Sequence, residues 1–257
     1  MKTNKCDKWR VASGGTDAVG VGLSRHPSPV TRHSLAFTLI ELLTVIAVIA
    51  VIAALIFPVA STVKQHAFIH NAQAQMSQIE TAIEQYKSAC GFYPPDNPGT
   101  VNNLNCVLTN QLYYELEGTR QTNNGMAYVT LDGVSQISTN NMAAAFGVSG
   151  FVNCNRPGAD ESVRQAQNFL PDLNTNQVGA ITVGASPVNL LVTPIGGPDT
   201  AYNPLGQANS GMNPWRYAYP GTNNPGSYDL WVQLEIAGKT NLICNWTKTV
   251  QINSPLP

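Results

Sequence analysis

Residues 37–60 read FTLIELLTVIAVIAVIAALIFPVA, with Glu41 the only charged side chain, and from Val45 to Phe57 no side chain is polar. As an α-helix at 1.5 Å per residue this stretch is about 36 Å long, enough to cross a hydrocarbon layer of about 30 Å. A core helix of a soluble domain rarely stays apolar on every face for so long. The flanks are unequal. Residues 1–36 carry Lys2, Lys5, Lys8, Arg10, Arg25 and Arg32 against Asp7 and Asp17, whereas Lys64 and Lys87 are the only Lys or Arg among residues 61–95. The positive-inside bias then keeps the amino end in the cytoplasm and exports the bulk of the chain. A cleaved secretory signal fits poorly, because the apolar run is too long, holds a carboxylate, and has Pro58 close before its best cleavage position after Ala60.

Glu41 needs a physical account. A carboxylate within a spanning helix costs about 2.5–3.5 kcal/mol at the bilayer centre and less near an interface. If the chain is cut between Ala36 and Phe37, Phe37 gains a free α-amine and Glu41 becomes the fifth residue. In a helical stack of identical subunits, the amine of one copy can then neutralise the carboxylate of the next. Two charges that are costly in lipid become a pair that sets register.

The run S-L-A-F-T-L-I-E-L-L-T-V-I-A-V-I-A, residues 34–50, resembles the cleavage and methylation segment of type IV prepilins and type II secretion pseudopilins. Ala36 stands before the cut, where that family prefers Gly, and Pro58 falls where its members often carry a helix-bending proline. The resemblance implies removal of a leader, here residues 1–36, by a membrane prepilin peptidase, N-methylation of Phe37, and assembly through Glu41. A second stretch, N-P-W-R-Y-A-Y-P-G-x(4)-G-S-Y-D-L-W at residues 213–231, is similar to the carboxy-terminal segment of major pseudopilins. It reads as a Pro-Trp corner followed by two strands and a loop, with Tyr217 and Tyr219 alternating as a strand requires.

Past Pro58 the pattern becomes amphipathic. Ile69, Ala72, Met76, Ile79, Ile83 and Tyr86 recur at spacings of three and four, with Gln73, Gln75, Gln78, Glu80 and Glu84 outside the stripe. One helix is therefore expected from about Phe37 to Ala89, kinked or locally unwound at Pro58 and ended by Gly91 and the Tyr93-Pro94-Pro95 turn. The expected organisation is a cytoplasmic leader (1–36), a transmembrane and filament-core helix (37–60), its amphipathic continuation (61–89), and a periplasmic head (90–257). The fold class is α+β, a long amino-terminal helix packed on a small antiparallel-sheet head. Strands are expected at Ala127–Leu131, Ala180–Val183, Asn189–Val192, Arg216–Tyr219, Tyr228–Glu235 and Thr247–Ile252, and a short helix at Glu161–Phe169.

Composition agrees with an extracytoplasmic head. The chain has 257 residues, 43% hydrophobic and only 11% charged, with net charge −1, 21 Gly and 17 Pro. That hydrophobic share and near-neutral charge exclude a highly charged disordered chain, and the absence of a Lys/Arg stripe argues against a nucleic-acid binder.

Cys90, Cys106, Cys154 and Cys244 form an even set in the exported part, Cys6 lying in the leader. Three connectivities are open; Cys90–Cys106, closing a short loop after the helix, with Cys154–Cys244 is the preferred one. No cofactor is expected. Calcium, which the resembled major pseudopilins bind after the Tyr-Asp-Leu strand, finds Glu235, Asn241 and Asn245 as candidate ligands, with Asp229 read as a strand-end residue instead. His66 and His70, at i and i+4, lack the Glu of a metalloprotease motif and read as surface or packing histidines. Glu115 and Glu117 read as solvated acids. G-x-S-x-G, P-loop and dinucleotide-binding patterns are absent, so no enzyme is expected.

The expected function is that of a structural subunit of a type II secretion pseudopilus. Its partners would be further copies of itself, minor pseudopilins, an inner-membrane assembly platform, the prepilin peptidase and the membrane, with no nucleic acid. The alternatives are a type IV pilin for adhesion, motility or DNA uptake, and a membrane-anchored extracytoplasmic binding or enzymatic domain.

Overall fold

Apolar residues at three- and four-residue spacing build one long helix, α1 (Leu39–Cys90), which closes where Gly91 takes φ +85° and donates its N–H to the carbonyl of Lys87 at 2.8 Å. Only a residue without a Cβ adopts that left-handed turn at no steric cost. The computed structural model describes residues 37–98, 109–158, 163–183, 186–197 and 213–254, without the side chains of 56–61, 123, 183 and 186. The chain divides into two units, residues 1–52 and 53–257.

In the first unit every described side chain of residues 37–52 is exposed. The large apolar ones range from 49% exposed at Val45 to 80% at Leu39. Among the described residues no helix is long and apolar enough to cross a membrane. The described apolar run covers residues 39–55, about 25 Å of helix, and its sequence continuation at 56–61 has no described side chains. The helix itself runs on through Pro58, so the expected local unwinding there is not found.

In the second unit the predicted stripe of α1 faces the core. Ala72, Ile79, Ile83 and Tyr86 are buried, and Ile69 and Met76 pack against them. Gln75, expected outside the stripe, is also buried, its amide donating to the carbonyl of Val192 at 2.7 Å. The bond explains the correction, because a buried polar group is tolerated once it is paired.

The head is α+β, with three small sheets among the described residues. Helix α2 (Leu112–Glu117) leads into β1 (Thr119–Thr122), β2 (Ala127–Thr130) and β3 (Gln136–Ser138), then α3 (Thr139–Phe146) and β4 (Cys154–Asn155). These strands lie in the order β3-β2-β1-β4, antiparallel except for the parallel pair β1–β4. The expected antiparallel-sheet head is found, with this one parallel pair added. Strands β5 (Val178–Val183), β6 (Ser186–Thr193) and β7 (Asn213–Pro214) form the next sheet, and β8 (Arg216–Ala218), β9 (Asp229–Ile236), β10 (Lys239–Cys244) and β11 (Gln251–Ile252) the last, in the order β11-β10-β9-β8. One apolar cluster joins Ile79, Ile83 and Tyr86 of α1 to Leu190, Trp215, Tyr217, Val232 and Ile243.

Five of the six expected strands correspond to β2, β5, β6, β8 and β9. Of Thr247–Ile252 only Gln251–Ile252 pairs, because Thr247 turns back to bond the carbonyl of Thr249. The helix expected at Glu161–Phe169 is absent from its described part, residues 163–169. There the side-chain oxygens of Asn155 and Asn153 accept the N–H groups of Ala166 and Gln167 at 2.7 and 3.0 Å, and the Leu116 carbonyl accepts that of Phe169. Donors committed to the neighbouring sheet cannot close helical turns.

Candidate functional site

The start of α1 is a complete capping box. Thr38 precedes the first helical residue, and its hydroxyl accepts the N–H of Glu41 at 3.3 Å. Oε2 of Glu41 in return accepts the Thr38 N–H at 2.9 Å and the Thr38 hydroxyl at 2.8 Å. Both bonds end on one oxygen; Oε1 takes none among the described residues. The Thr-x-x-Glu spacing that produces this is legible in the sequence, and it gives Glu41 a local partner as well as any partner in a neighbouring copy. Phe37, beside it, is 76% exposed. Ala36 and the cleavage position before Phe37 lie partly outside the described residues, and of Pro58 only the helical backbone is described.

In the head, Cys90, Cys154 and Cys244 are free thiols, and Cys106 lies outside the described residues. Both members of the expected Cys154–Cys244 pair are thiols here. Cys154 opens β4 in the first sheet, while Cys244 ends β10 in another and packs with Trp231, Leu242 and Trp246.

The calcium candidates do not converge. Glu235 is exposed on β9, opposite Thr240, while Asn241 is buried and directs its amide to the carbonyl of Lys239. The side-chain oxygen of Asn245 is already occupied by the N–H of Leu230 and the amide of Asn224, each at 3.1 Å. One exposed carboxylate and two committed amides do not make the six to eight oxygens calcium takes. Among the described residues no cluster of His, Cys, Asp or Glu gathers for a metal either, and His66 and His70 are both exposed.

Asp229 holds the loop before β9 instead. Oδ2 accepts the N–H of Asn223 at 2.8 Å and its amide at 3.0 Å, while Oδ1 accepts the N–H of Asn224 at 2.9 Å. Gly221 lets the chain pass this close: a Cβ there would lie 2.6 Å from Oδ1.

Two acids read as solvated are buried. Oε1 of Glu115, on α2, accepts the N–H of Val152 at 2.8 Å, and Oε2 accepts the N–H of Asn153 and the hydroxyl of Tyr86, both at 3.0 Å. Burial pushes this carboxyl above its ordinary pKa, and the three donors act against that. Glu117 is pushed up to about 7 by burial and by the charge of Asp132, with the Asn168 amide donating to it at 2.6 Å. No local signal marked them, since both sit in the six-residue helix LYYELE, all of whose side chains are buried. Glu115 so placed binds two backbone donors and joins α1, α2 and the 152–153 segment, whereas Glu117 meets the Asn168 side chain.

No curated protein and no solved structure matches the chain. Residues 31–57, which hold Ala36, Phe37, Thr38 and Glu41, match the family model of the prokaryotic N-terminal methylation motif, so this segment is similar to type IV pilin-like prepilin signals.

Proposed function

We propose that this chain is the precursor of a pilin-like structural subunit, most specifically a major pseudopilin of a type II secretion system, and that its work is assembly rather than catalysis. The observation that carries the reading is the methylation-motif match at residues 31–57, followed at once by a helical surface on which every described side chain of residues 37–55 is exposed. A continuous apolar surface of that extent calls for lipid or partner helices. The precursor waits in the inner membrane with residues 1–36 in the cytoplasm and the head in the periplasm. A prepilin peptidase cuts before Phe37, the new amine is methylated, and an inner-membrane platform stacks the subunits, with minor pseudopilins, into a short filament that pushes cargo outward.

The carboxy-terminal segment supports the pseudopilin over a type IV pilin. Trp215 is buried at the corner between β7 and β8, and Asp229 organises the loop joining β8 to β9, in the part of the sequence that resembles major pseudopilins. Mass spectrometry of the mature amino terminus tests the proposal. N-methylphenylalanine at Phe37 is expected; an intact Met1 on the membrane-bound protein would refute it and leave a plain anchor.

A further inference from the structure

Two of the free thiols face one groove. Cys90 ends α1 and Cys154 opens β4; both are half-buried, and both line a groove of 470 Å³ together with Phe92, Val152, Arg156 and Arg164. The Glu115 carboxylate gives their proximity a framework. Its Oε2 joins the hydroxyl of Tyr86 to the N–H of Asn153, each at 3.0 Å. Tyr86 lies one helical turn before Cys90 on the same face of α1, and Asn153 is the chain neighbour of Cys154. Cys244 belongs to a separate apolar cluster.

We propose that Cys90 and Cys154 form a disulfide that ties the end of α1 to the first sheet of the head, one of the pairings the sequence leaves open but not the preferred one. The oxidant is an external disulfide. The Cys90 thiolate attacks one of its sulfurs and the first external thiol leaves. The Cys154 thiolate then attacks the Cys90 sulfur of the mixed disulfide and the second external thiol leaves. The two protein thiol protons end on the two released thiols, so the protein is oxidised by two electrons and the external disulfide reduced. Burial disfavours both thiolates, and the guanidinium groups of Arg164 beside Cys90 and Arg156 beside Cys154 work against it. Bond formation draws the two Cβ atoms to about 3.5–4.5 Å and closes the groove between them. The chemistry does not depend on filament assembly.

The test uses the full chain in detergent micelles, oxidised with oxidised glutathione, alkylated, and digested with trypsin without reduction. Cleavage after Lys87, Arg120 and Arg164, with Arg156 protected by Pro157, puts Cys90 and Cys106 in peptide 88–120, Cys154 in 121–164 and Cys244 in 240–248. A cross-linked pair of 88–120 and 121–164 is expected, about 2 Da lighter than the two thiol peptides together. It should persist in Cys106→Ser and vanish in Cys154→Ser. Reduction should lower the thermal midpoint of the wild type and Cys106→Ser by about 5–10 °C and leave Cys154→Ser unchanged. An internal Cys90–Cys106 link within 88–120, a link from 121–164 to 240–248, loss of the cross-link in Cys106→Ser, or full alkylation of both thiols would each overturn the proposal.

Discussion

Glu41 has two partners on offer, and one pair of substitutions separates them. In the single chain its Oε2 accepts the N–H and the hydroxyl of Thr38 at 2.9 and 2.8 Å, while Oε1 takes no hydrogen bond among the described residues. Thr38→Val removes the hydroxyl and with it two of the three capping bonds. It keeps the carboxylate and the backbone donor, so it should cost about 1 kcal/mol of helix stability. Glu41→Gln keeps an amide oxygen that can accept the Thr38 N–H, so the cap loses well under about 1 kcal/mol, but the charge is gone. An amine meeting a carboxylate at about 4 Å with an effective dielectric constant of about 20 is worth about 4 kcal/mol. That is nearly a thousandfold in the association of each subunit. The assay is expression with a complete secretion apparatus, scoring membrane insertion by alkaline extraction and filament yield by shearing and electron microscopy. Both variants should insert like the wild type. Thr38→Val should keep filament yield within about fivefold, the factor carried by 1 kcal/mol, whereas Glu41→Gln should leave no more than about a hundredth. Filaments from Glu41→Gln at wild-type yield, or equal failure of the two variants, would show that the acid serves the cap alone.

Glu115→Ala should destabilise the head by about 2–4 kcal/mol, since it orphans two backbone donors and the Tyr86 hydroxyl while relieving a desolvated carboxylate; urea unfolding followed by tryptophan fluorescence reads this, and a change under about 0.5 kcal/mol would contradict the anchoring role. Glu117 has its folded pKa raised to about 7 from the ordinary 4.5, so the folded state holds its proton more tightly than the unfolded one. Its stabilisation is complete below pH 4.5 and is lost as pH rises through about 7, by at most about 3 kcal/mol. Glu117→Gln should flatten the fall in urea midpoint across that window, and an unchanged slope would discount the shift. Asp229→Ala strips the 223–224 turn of three bonds and should cost about 2–4 kcal/mol. Limited proteolysis should then cut at Asn223–Gly226 well before the rest of the head; protection equal to the wild type would assign the turn to other contacts.

Long-period patterns were legible in this sequence and exchanged hydrogen bonds were not. The stripe from Ile69 to Tyr86 predicted which face of α1 is buried, because burial along a helix follows its 3.6-residue period. Strand β9 announced itself by its apolar residues and by the loop before it. Strand β1, Thr-Arg-Gln-Thr, carries no apolar alternation; it is a strand because β2 and β4 pair with it on either side. Helix α3 went unread although its caps were visible, Ser138 accepting the N–H of Asn141 and Gly147 closing the far end at φ +71°. The site was legible in the same uneven way. The motif around Phe37 and Glu41 could be read directly, whereas the burial of Glu115 depends on a segment 37 residues away.

The polar groups that defeated the sequence reading share one physical task, and that task accounts for the composition. With 11% charged residues the chain has few acids, and three of them spend their charge on backbone N–H groups: Glu41 on Thr38, Glu115 on Val152 and Asn153, and Asp229 on Asn223 and Asn224. Asparagine side chains extend the practice without charge. Asn153 alone accepts the N–H of Gln167 and donates to the carbonyls of Glu115 and Gln167, bonding both backbone groups of a residue that no strand pairs. Small sheets leave many backbone groups outside any ladder, and a buried unpaired one costs more than a typical bond gains. Asn and Asp reach them with short side chains, which have fewer rotamers to lose than the long Glu, Gln, Lys or Arg. A head built of two- to eight-residue strands therefore holds its irregular segments with Asn and a few acids. Where the regular α1 begins, the same device, one acid gathering local donors, leaves an oxygen free to face a neighbour.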